Sequence, residues 1–147
     1  MRERDAILTG PRTYEIPDDP HAARAQKVLV VEDNRVLAAR LKVALEDQDY
    51  RAIVVRNGTE GLQHVLAADF DAILCDLVTP DFPGEMFSIA VQRARPHLAQ
   101  RLVFMAGQSG NPKVDDFIAK VPNRVLRKPF AMRDLFDALE TVTGRSQ

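Results

Sequence analysis

The run Ala72-Ile73-Leu74-Cys75-Asp76 is apolar up to its last position and is followed by the turn-rich stretch Leu77-Val78-Thr79-Pro80-Asp81-Phe82-Pro83-Gly84. A short, unbroken apolar run bounded by turn residues reads as a strand covered on both faces, the kind found inside a parallel sheet. Upstream, Lys27-Val28-Leu29-Val30-Val31 has the same character and ends in Glu32 and Asp33. Downstream, the shorter run Val125-Leu126-Arg127 ends in Lys128-Pro129. Parallel strands that release two acids, one acid and a lysine at their carboxyl ends can deliver those groups to a single crevice.

The rest of the chain continues this alternation. Strands are expected over residues 27–32, 50–55, 71–76, 101–106 and 124–127. Asn34 is placed to cap a helix with Val36, Leu37, Leu41, Ala44 and Leu45 on one face and Arg40, Lys42, Glu46 and Asp47 on the other. Asn57 and Glu60 have capping-box spacing, and Leu62, Val65 and Leu66 follow as the buried side of a short amphipathic helix. Gly84 precedes a helix through Met86, Phe87, Ala90 and Val91 that should stop near Pro96. After the loop Gly107-Gln108-Ser109-Gly110, Asn111-Pro112 opens a helix whose buried face is Val114, Phe117 and Ile118. A last helix over residues 131–143 turns Leu135, Phe136, Leu139 and Val142 inward. Five strands alternating with five helices predict an α/β fold: a doubly wound, five-stranded parallel sheet of order 2-1-3-4-5, as in flavodoxin. Such sheets bind ligands at the carboxyl ends of the strands where the order reverses. Here those ends are Glu32-Asp33 and Asp76.

A chain of 147 residues is long enough for one domain with a core. Its formal net charge of −1 gives no bulk electrostatic case for binding nucleic acid. No apolar stretch approaches the roughly 18 residues of a membrane span, and the N-terminus lacks the apolar segment of a signal peptide, so a cytoplasmic setting is expected. The single cysteine, Cys75, excludes an internal disulfide and reads as a small buried strand residue. Residues 1–26 differ from the rest. With Pro11, Pro17, Pro20, Asp18-Asp19 and no sustained periodicity they predict an arm or linker, in which Ile7, Leu8, Tyr14 and Ile16 can still pack on a neighbour. The folded domain is expected over residues 27–143, with a short tail over 144–147. His21, His64 and His97 show no metal-ligand spacing and read as surface residues.

Three carboxylates brought together repel one another, so a cation or proton uptake must offset their charge. Ligands that are all oxygen favour a hard ion, Mg²⁺ or Mn²⁺. Asp76, alone at its strand end, is the better nucleophile, and a carboxylate can accept a phosphoryl group as an aspartyl phosphate. Lys128, a point charge on a flexible stem, can neutralise the side the metal does not reach. Each feature has an ordinary reading by itself. An acid pair after a strand suits the N-terminus of the next helix, a lone Asp caps a turn, and Lys-Pro makes one. Few structural roles would require all three at one end of one sheet.

On these residues the chain resembles the receiver domain of two-component response regulators. The likeness covers residues 27–143 and is strongest in Val28-Leu29-Val30-Val31-Glu32-Asp33-Asn34, in Asp76-Leu77-Val78-Thr79-Pro80 through Gly84, and in Lys128-Pro129-Phe130. The resemblance implies that Glu32 and Asp33 help hold Mg²⁺, with the backbone carbonyl of Val78 completing the protein ligands. It also implies that Asp76 takes phosphate from a phosphohistidine, that Lys128 pairs with the phosphoryl group, and that Lys128-Pro129 is a cis peptide. Partners would be a sensor histidine kinase or a histidine phosphotransfer domain, and a downstream protein of unstated identity. A homodimer is compatible. Nucleic-acid and membrane contacts are not expected. The stretches Val103-Phe104-Met105 and Val121-Pro122-Asn123-Arg124-Val125-Leu126 look most like receivers attached to hybrid sensor kinases. As an enzyme such a domain would catalyse no more than its own phosphotransfer and dephosphorylation. No output domain fits in the remaining residues, so a stand-alone receiver and a piece of a larger kinase or regulator both agree with the sequence.

Two positions depart from the family pattern. Strand four usually ends in Thr or Ser, whose hydroxyl bonds the phosphoryl oxygen, and here it ends in Ala106. A Tyr or Phe often stands three residues before the lysine, and here Val125 does. Phosphorylation can survive these changes, but weak or unusual switching is expected. In the following loop, Ser109 and Gln108 read as solvated residues rather than a replacement hydroxyl and a water-orienting group, and Thr79 is expected to point outward. The alternative is a degenerate receiver that works as a phosphorylation-independent interaction module. Ala106 and Val125 favour that reading, and intact Glu32, Asp33, Asp76 and Lys128 oppose it. A flavodoxin-like cofactor binder would need a glycine- and hydroxyl-rich loop where Glu32-Asp33 stands. A haloacid-type phosphatase would need a second acid at position 78, which is Val.

Overall fold

The computed structural model of the chain describes residues 25–79, 82–108 and 110–145. The expected N-terminal arm up to residue 24, with Ile7, Leu8, Tyr14, Ile16 and His21, lies outside the described residues, as do Pro80, Asp81, Ser109 and the last two residues of the tail. The described chain runs β1 (Lys27–Val31), α1 (Arg35–Asp47), β2 (Arg51–Val55), α2 (Gly58–Ala67), β3 (Ala72–Asp76), α3 (Gly84–Ala94), α4 (Pro96–Ala99), β4 (Leu102–Ala106), α5 (Pro112–Lys120), β5 (Val125–Arg127) and α6 (Met132–Thr143). All strand pairs are parallel, and the order is β2-β1-β3-β4-β5, as the apolar runs predict.

Both faces of the sheet are covered, so the central strands are apolar without alternation. Leu29, Val31, Ile73, Cys75, Leu102 and Phe104 face a core completed by Val65 of α2 and by Phe87 and Val91 of α3. Val28, Val30, Leu74, Val103 and Met105 face the other core, filled by Leu41 and Leu45 of α1 and by Leu135 and Leu139 of α6. Cys75 is buried as expected, and burial pushes its thiol pKa far up, with the charges of Asp76 and Glu32 adding to the effect. No helix of the described residues is long and apolar enough to cross a membrane.

The helix starts follow their capping residues. Asn34 Oδ1 accepts from the Leu37 N–H at 3.0 Å, Asn57 Oδ1 from the Glu60 N–H at 2.9 Å, and Asn111 Oδ1 from the Lys113 N–H at 2.9 Å. Glu60 closes its cap on the N–H of Arg56 rather than of Asn57, at 3.1 Å.

Three expectations need correction. Val36 is exposed, because Ala38, Leu41 and Leu45 form the buried stripe of α1 and Val36 lies about 200° around the helix from Ala38. Leu66 is exposed for a similar reason, since α2 buries Gly58, Gly61 and Val65. The chain also forms a sixth helix, α4, where only a stop was expected. Proline suits its first position, and Leu98 and Ala99 are buried, but four residues are too few to show a period in sequence. In α5 the residues Val114, Phe117 and Ile118 do pack on the core, though none is fully buried.

Candidate functional site

Asp76 is the last residue of β3, and Glu32, Asp33 and Lys128 follow the ends of β1 and β5; each ladder continues past the strand end. The Glu32 N–H donates to the Val55 carbonyl at 3.0 Å, the Leu77 N–H to Met105 at 2.9 Å, and the Lys128 N–H to Ala106 at 2.8 Å. Neighbouring strand ends are thereby held side by side, and the side chains of Glu32, Asp33, Asp76 and Lys128 meet at the crossover between β1 and β3. One carboxylate oxygen from each of Glu32, Asp33 and Asp76 lies within 4.8 Å of the others. Lys128 Nζ donates to Glu32 Oε1 at 2.7 Å and to Asp76 Oδ2 at 3.3 Å.

The two acids that the sequence presents as a pair behave differently. Glu32 is 1% exposed, and its second oxygen accepts the Asn34 N–H at 3.0 Å. Asp33 is exposed at the crevice mouth. The first turn of α1 itself holds no acid.

Asp76 is 5% exposed, and its Oδ1 accepts the Val78 N–H at 3.1 Å. Burial raises its pKa to about 6, and the Glu32 charge adds to this. The Val78 N–H and Lys128 pull in the other direction. Burial also works against the Lys128 charge, but the Glu32 hydrogen bond and the two carboxylates outweigh it and hold the ammonium above its ordinary pKa. Three carboxyl groups thus share one ammonium in the crevice. An all-oxygen set of three carboxylates in that condition fits a hard divalent cation.

The loop after Asp76 is tied down at both ends. The Gly84 N–H donates to the Leu77 carbonyl at 3.1 Å. A Cβ at Gly84 would stand 2.7 Å from Leu77 Cα and 2.9 Å from the Asp76 carbonyl oxygen, so only glycine lets α3 start against the strand end. Thr79 does not point outward as expected. It is 6% exposed, and its hydroxyl donates to the Phe82 carbonyl at 2.6 Å. Sequence gave no signal for this beyond the turn preference of threonine. Phe82 in turn lies against Gly58 of α2, where a Cβ would meet its side chain at 2.5 Å. Val78 exposes its side chain.

Ala106 is buried at the end of β4 and brings no hydroxyl. Val125 is half-buried against the core on the α2–α3 side, and Gln108 is exposed. The Lys128-Pro129 peptide is cis. His64 and His97 are at the surface, as expected.

The chain belongs to the response regulator receiver domain family, whose sequence model matches residues 28–140. It is thus a receiver domain of two-component systems. It is 27% identical over 115 residues to the response regulator receiver protein CpdR of Brucella abortus, covering 78% of this chain and 94% of that protein. It is 36% identical over 126 residues to the response regulator ArlR of Staphylococcus saprophyticus, covering 81% of this chain and 53% of that protein. With the sensor histidine kinase GacS of Pseudomonas protegens it shares 26% over 87 residues, 59% of this chain but only 10% of the kinase. The chain therefore spans nearly all of one relative, about half of another and a tenth of a third.

Solved structures show the same fold. A receiver domain from Clostridium thermocellum superposes with a TM-score of 0.71 at 23% identity, covering 82% of this chain and 95% of that one. The receiver domain of the sensor histidine kinase PA1611 of Pseudomonas aeruginosa superposes with a TM-score of 0.70 at 24% identity, covering 82% and 99%. That structure has a magnesium ion coordinated in its active site cleft.

Proposed function

We propose that Asp76 is the phosphoacceptor of this receiver and takes its phosphoryl group from the phosphohistidine of a sensor kinase or histidine phosphotransfer domain in the cytoplasm. The observation that carries this reading is the meeting of three carboxylates within 4.8 Å beside the Lys128 ammonium. Asp33, Asp76, Glu32 and the Val78 carbonyl would hold Mg²⁺ in this reading, and the ion would supply charge neutralisation for the phosphoryl oxygens. Asp76 Oδ forms the new bond to phosphorus as the phosphorus–nitrogen bond of the donor breaks. The imidazole nitrogen keeps the electron pair and is protonated as it leaves. Lys128, 3.3 Å from Asp76 Oδ2, passes its hydrogen bond to the incoming phosphoryl group. Burial of Asp76 and Glu32 limits water at the reacting carboxyl. Residues 27–143 form the receiver unit in this reading, with residues 1–26 as an arm and 144–147 as a tail.

The test is incubation of the full chain with acetyl phosphate and Mg²⁺, followed by mass spectrometry. One added phosphoryl group is expected, lost in Asp76→Asn and on chelation of the metal. No adduct in the wild-type chain would refute the assignment and favour the second reading, a phosphorylation-independent interaction module, for which Ala106 and Val125 speak.

The same two residues predict weak switching. A hydrogen bond to a charged acceptor contributes roughly 1.5–3 kcal/mol. Its loss from the phosphorylated state alone lowers the activating bias roughly ten- to a hundredfold. Ala106→Thr is expected to enlarge the spectral change produced by phosphorylation, and an unchanged response would remove this explanation.

A further inference from the structure

Val78, whose carbonyl is assigned to the cation, is 56% exposed, so packing of its own side chain does not fix it. Its N–H is committed to Asp76 Oδ1 at 3.1 Å. Its carbonyl belongs to the planar peptide that joins it to Thr79. Whatever anchors Thr79 therefore limits the directions open to that carbonyl.

Thr79 is the buried neighbour, and its hydroxyl is spent on the Phe82 carbonyl at 2.6 Å. Phe82 is in turn seated against the core on the α2–α3 side and against Gly58 at the start of α2. A Cβ at Gly58 would lie 2.5 Å from the Phe82 ring and 2.8 Å from the Phe82 carbonyl oxygen, the same oxygen that accepts the Thr79 hydroxyl. Gly58 has no left-handed φ, so the demand there is for space. The loop is already closed from outside, where the Gly84 N–H meets the Leu77 carbonyl at 3.1 Å. The Thr79 bond is an inner tie, beside the peptide that carries the Val78 carbonyl.

We propose that Thr79 is a positioning residue for the cation: its hydroxyl bond to the Phe82 carbonyl keeps the Val78 carbonyl in the direction a hard divalent ion requires. The inference rests on the reading of Asp76 as a Mg²⁺-dependent phosphoacceptor. Mg²⁺ demands near-octahedral geometry, so a ligand carbonyl free to turn costs affinity. Removing a group that orients a metal's ligand typically lowers affinity roughly ten- to a hundredfold.

The test titrates the isotope-labelled full chain with Mg²⁺, following the Val78 carbonyl carbon and the Asp33 and Asp76 amides by NMR. Thr79→Val removes the hydroxyl at nearly equal size, Gly58→Ala displaces its acceptor, and Thr79→Ser keeps the hydroxyl. The wild type should show a saturable shift at the Val78 carbonyl carbon. Mg²⁺ affinity should fall roughly tenfold in Thr79→Val and in Gly58→Ala, and stay close to the wild-type value in Thr79→Ser. Should Thr79→Val not fold, Gly58→Ala against Thr79→Ser makes the same comparison. A bond that only staples the loop would lower the unfolding midpoint and leave the affinity of the folded chain where it is. Wild-type affinity in Thr79→Val or Gly58→Ala, or a Thr79→Ser variant that loses affinity tenfold, would overturn the assignment. Mg²⁺ shifts at Asp33 and Asp76 with none at the Val78 carbonyl carbon would overturn it while sparing the phosphoacceptor reading. No response to Mg²⁺ in the wild type would overturn both.

Discussion

Asp76 and Asp69 lie near opposite ends of β3, and their surroundings push them in opposite directions. Asp69 is exposed at the amino end, where a hydrogen bond from His97 at 3.0 Å and the charges of Arg95 and Arg101 hold its carboxyl below the usual range. Asp76 is buried at the carboxyl end beside Glu32, and its pKa rises to about 6 although Lys128 is within 3.3 Å. Solvation decides the difference. Water already stabilises Asp69, and its partners add a little; Asp76 has lost most of its water, and one shared ammonium does not replace it. A carboxylate held in that state is poor for stability and well placed to gain from a cation or a phosphoryl group.

The largest effect should come from removing the shared ammonium. Lys128→Ala leaves Glu32 and Asp76 facing each other without a counter-charge and is expected to cost about 3 kcal/mol in urea unfolding. A smaller loss would mean that the crevice is wetter than its burial indicates.

Asp76→Asn should act in the other direction. The carboxyl titrates at about 6 in the fold against a reference of 3.8. The native state thus binds the extra proton, and this contribution to stability is present below the lower value and lost as pH rises through the upper one. At neutral pH, without metal, Asp76→Asn is therefore expected to gain on the order of 2 kcal/mol, and little at acid pH. Mg²⁺ should stabilise the wild type and reduce that gap. A variant less stable than wild type at neutral pH would break the comparison.

Gly84→Ala places a methyl group against Leu77 and the Asp76 carbonyl and should cost about 2 kcal/mol, with slower phosphorylation because the strand end is displaced. Asp69→Asn should leave the unfolding midpoint where it is, since its pairs are exposed. If it shifts the midpoint as far as Asp76→Asn does, solvation is not what separates the two ends.

The sheet was legible because its strands are buried on both faces. Val28 to Val31, Ile73 to Cys75 and Val103 to Met105 are apolar without a break, and that pattern has few other readings. The grouping of Glu32, Asp33, Asp76 and Lys128 followed from strand order alone. The division of labour within it did not. Which of two adjacent acids turns inward depends on the Asn34 N–H and the reach of Lys128, which are tertiary facts. Val36 and Leu66 were misplaced because an apolar residue in the first or last turn of a helix fits a stripe in sequence without lying on it. The inward turn of Thr79 rests on a hydroxyl bond to the Phe82 carbonyl, a contact that residue type alone does not reveal.

The most direct measurement is fluorine NMR of the full chain with beryllofluoride and Mg²⁺, since that phosphoryl analogue needs the acidic cluster, the nucleophile and the lysine together. The account predicts a bound signal in the wild type that is absent without Mg²⁺, absent in Asp76→Asn and weakened in Lys128→Ala. A bound signal that persists in Asp76→Asn, or none in the wild type, would contradict it.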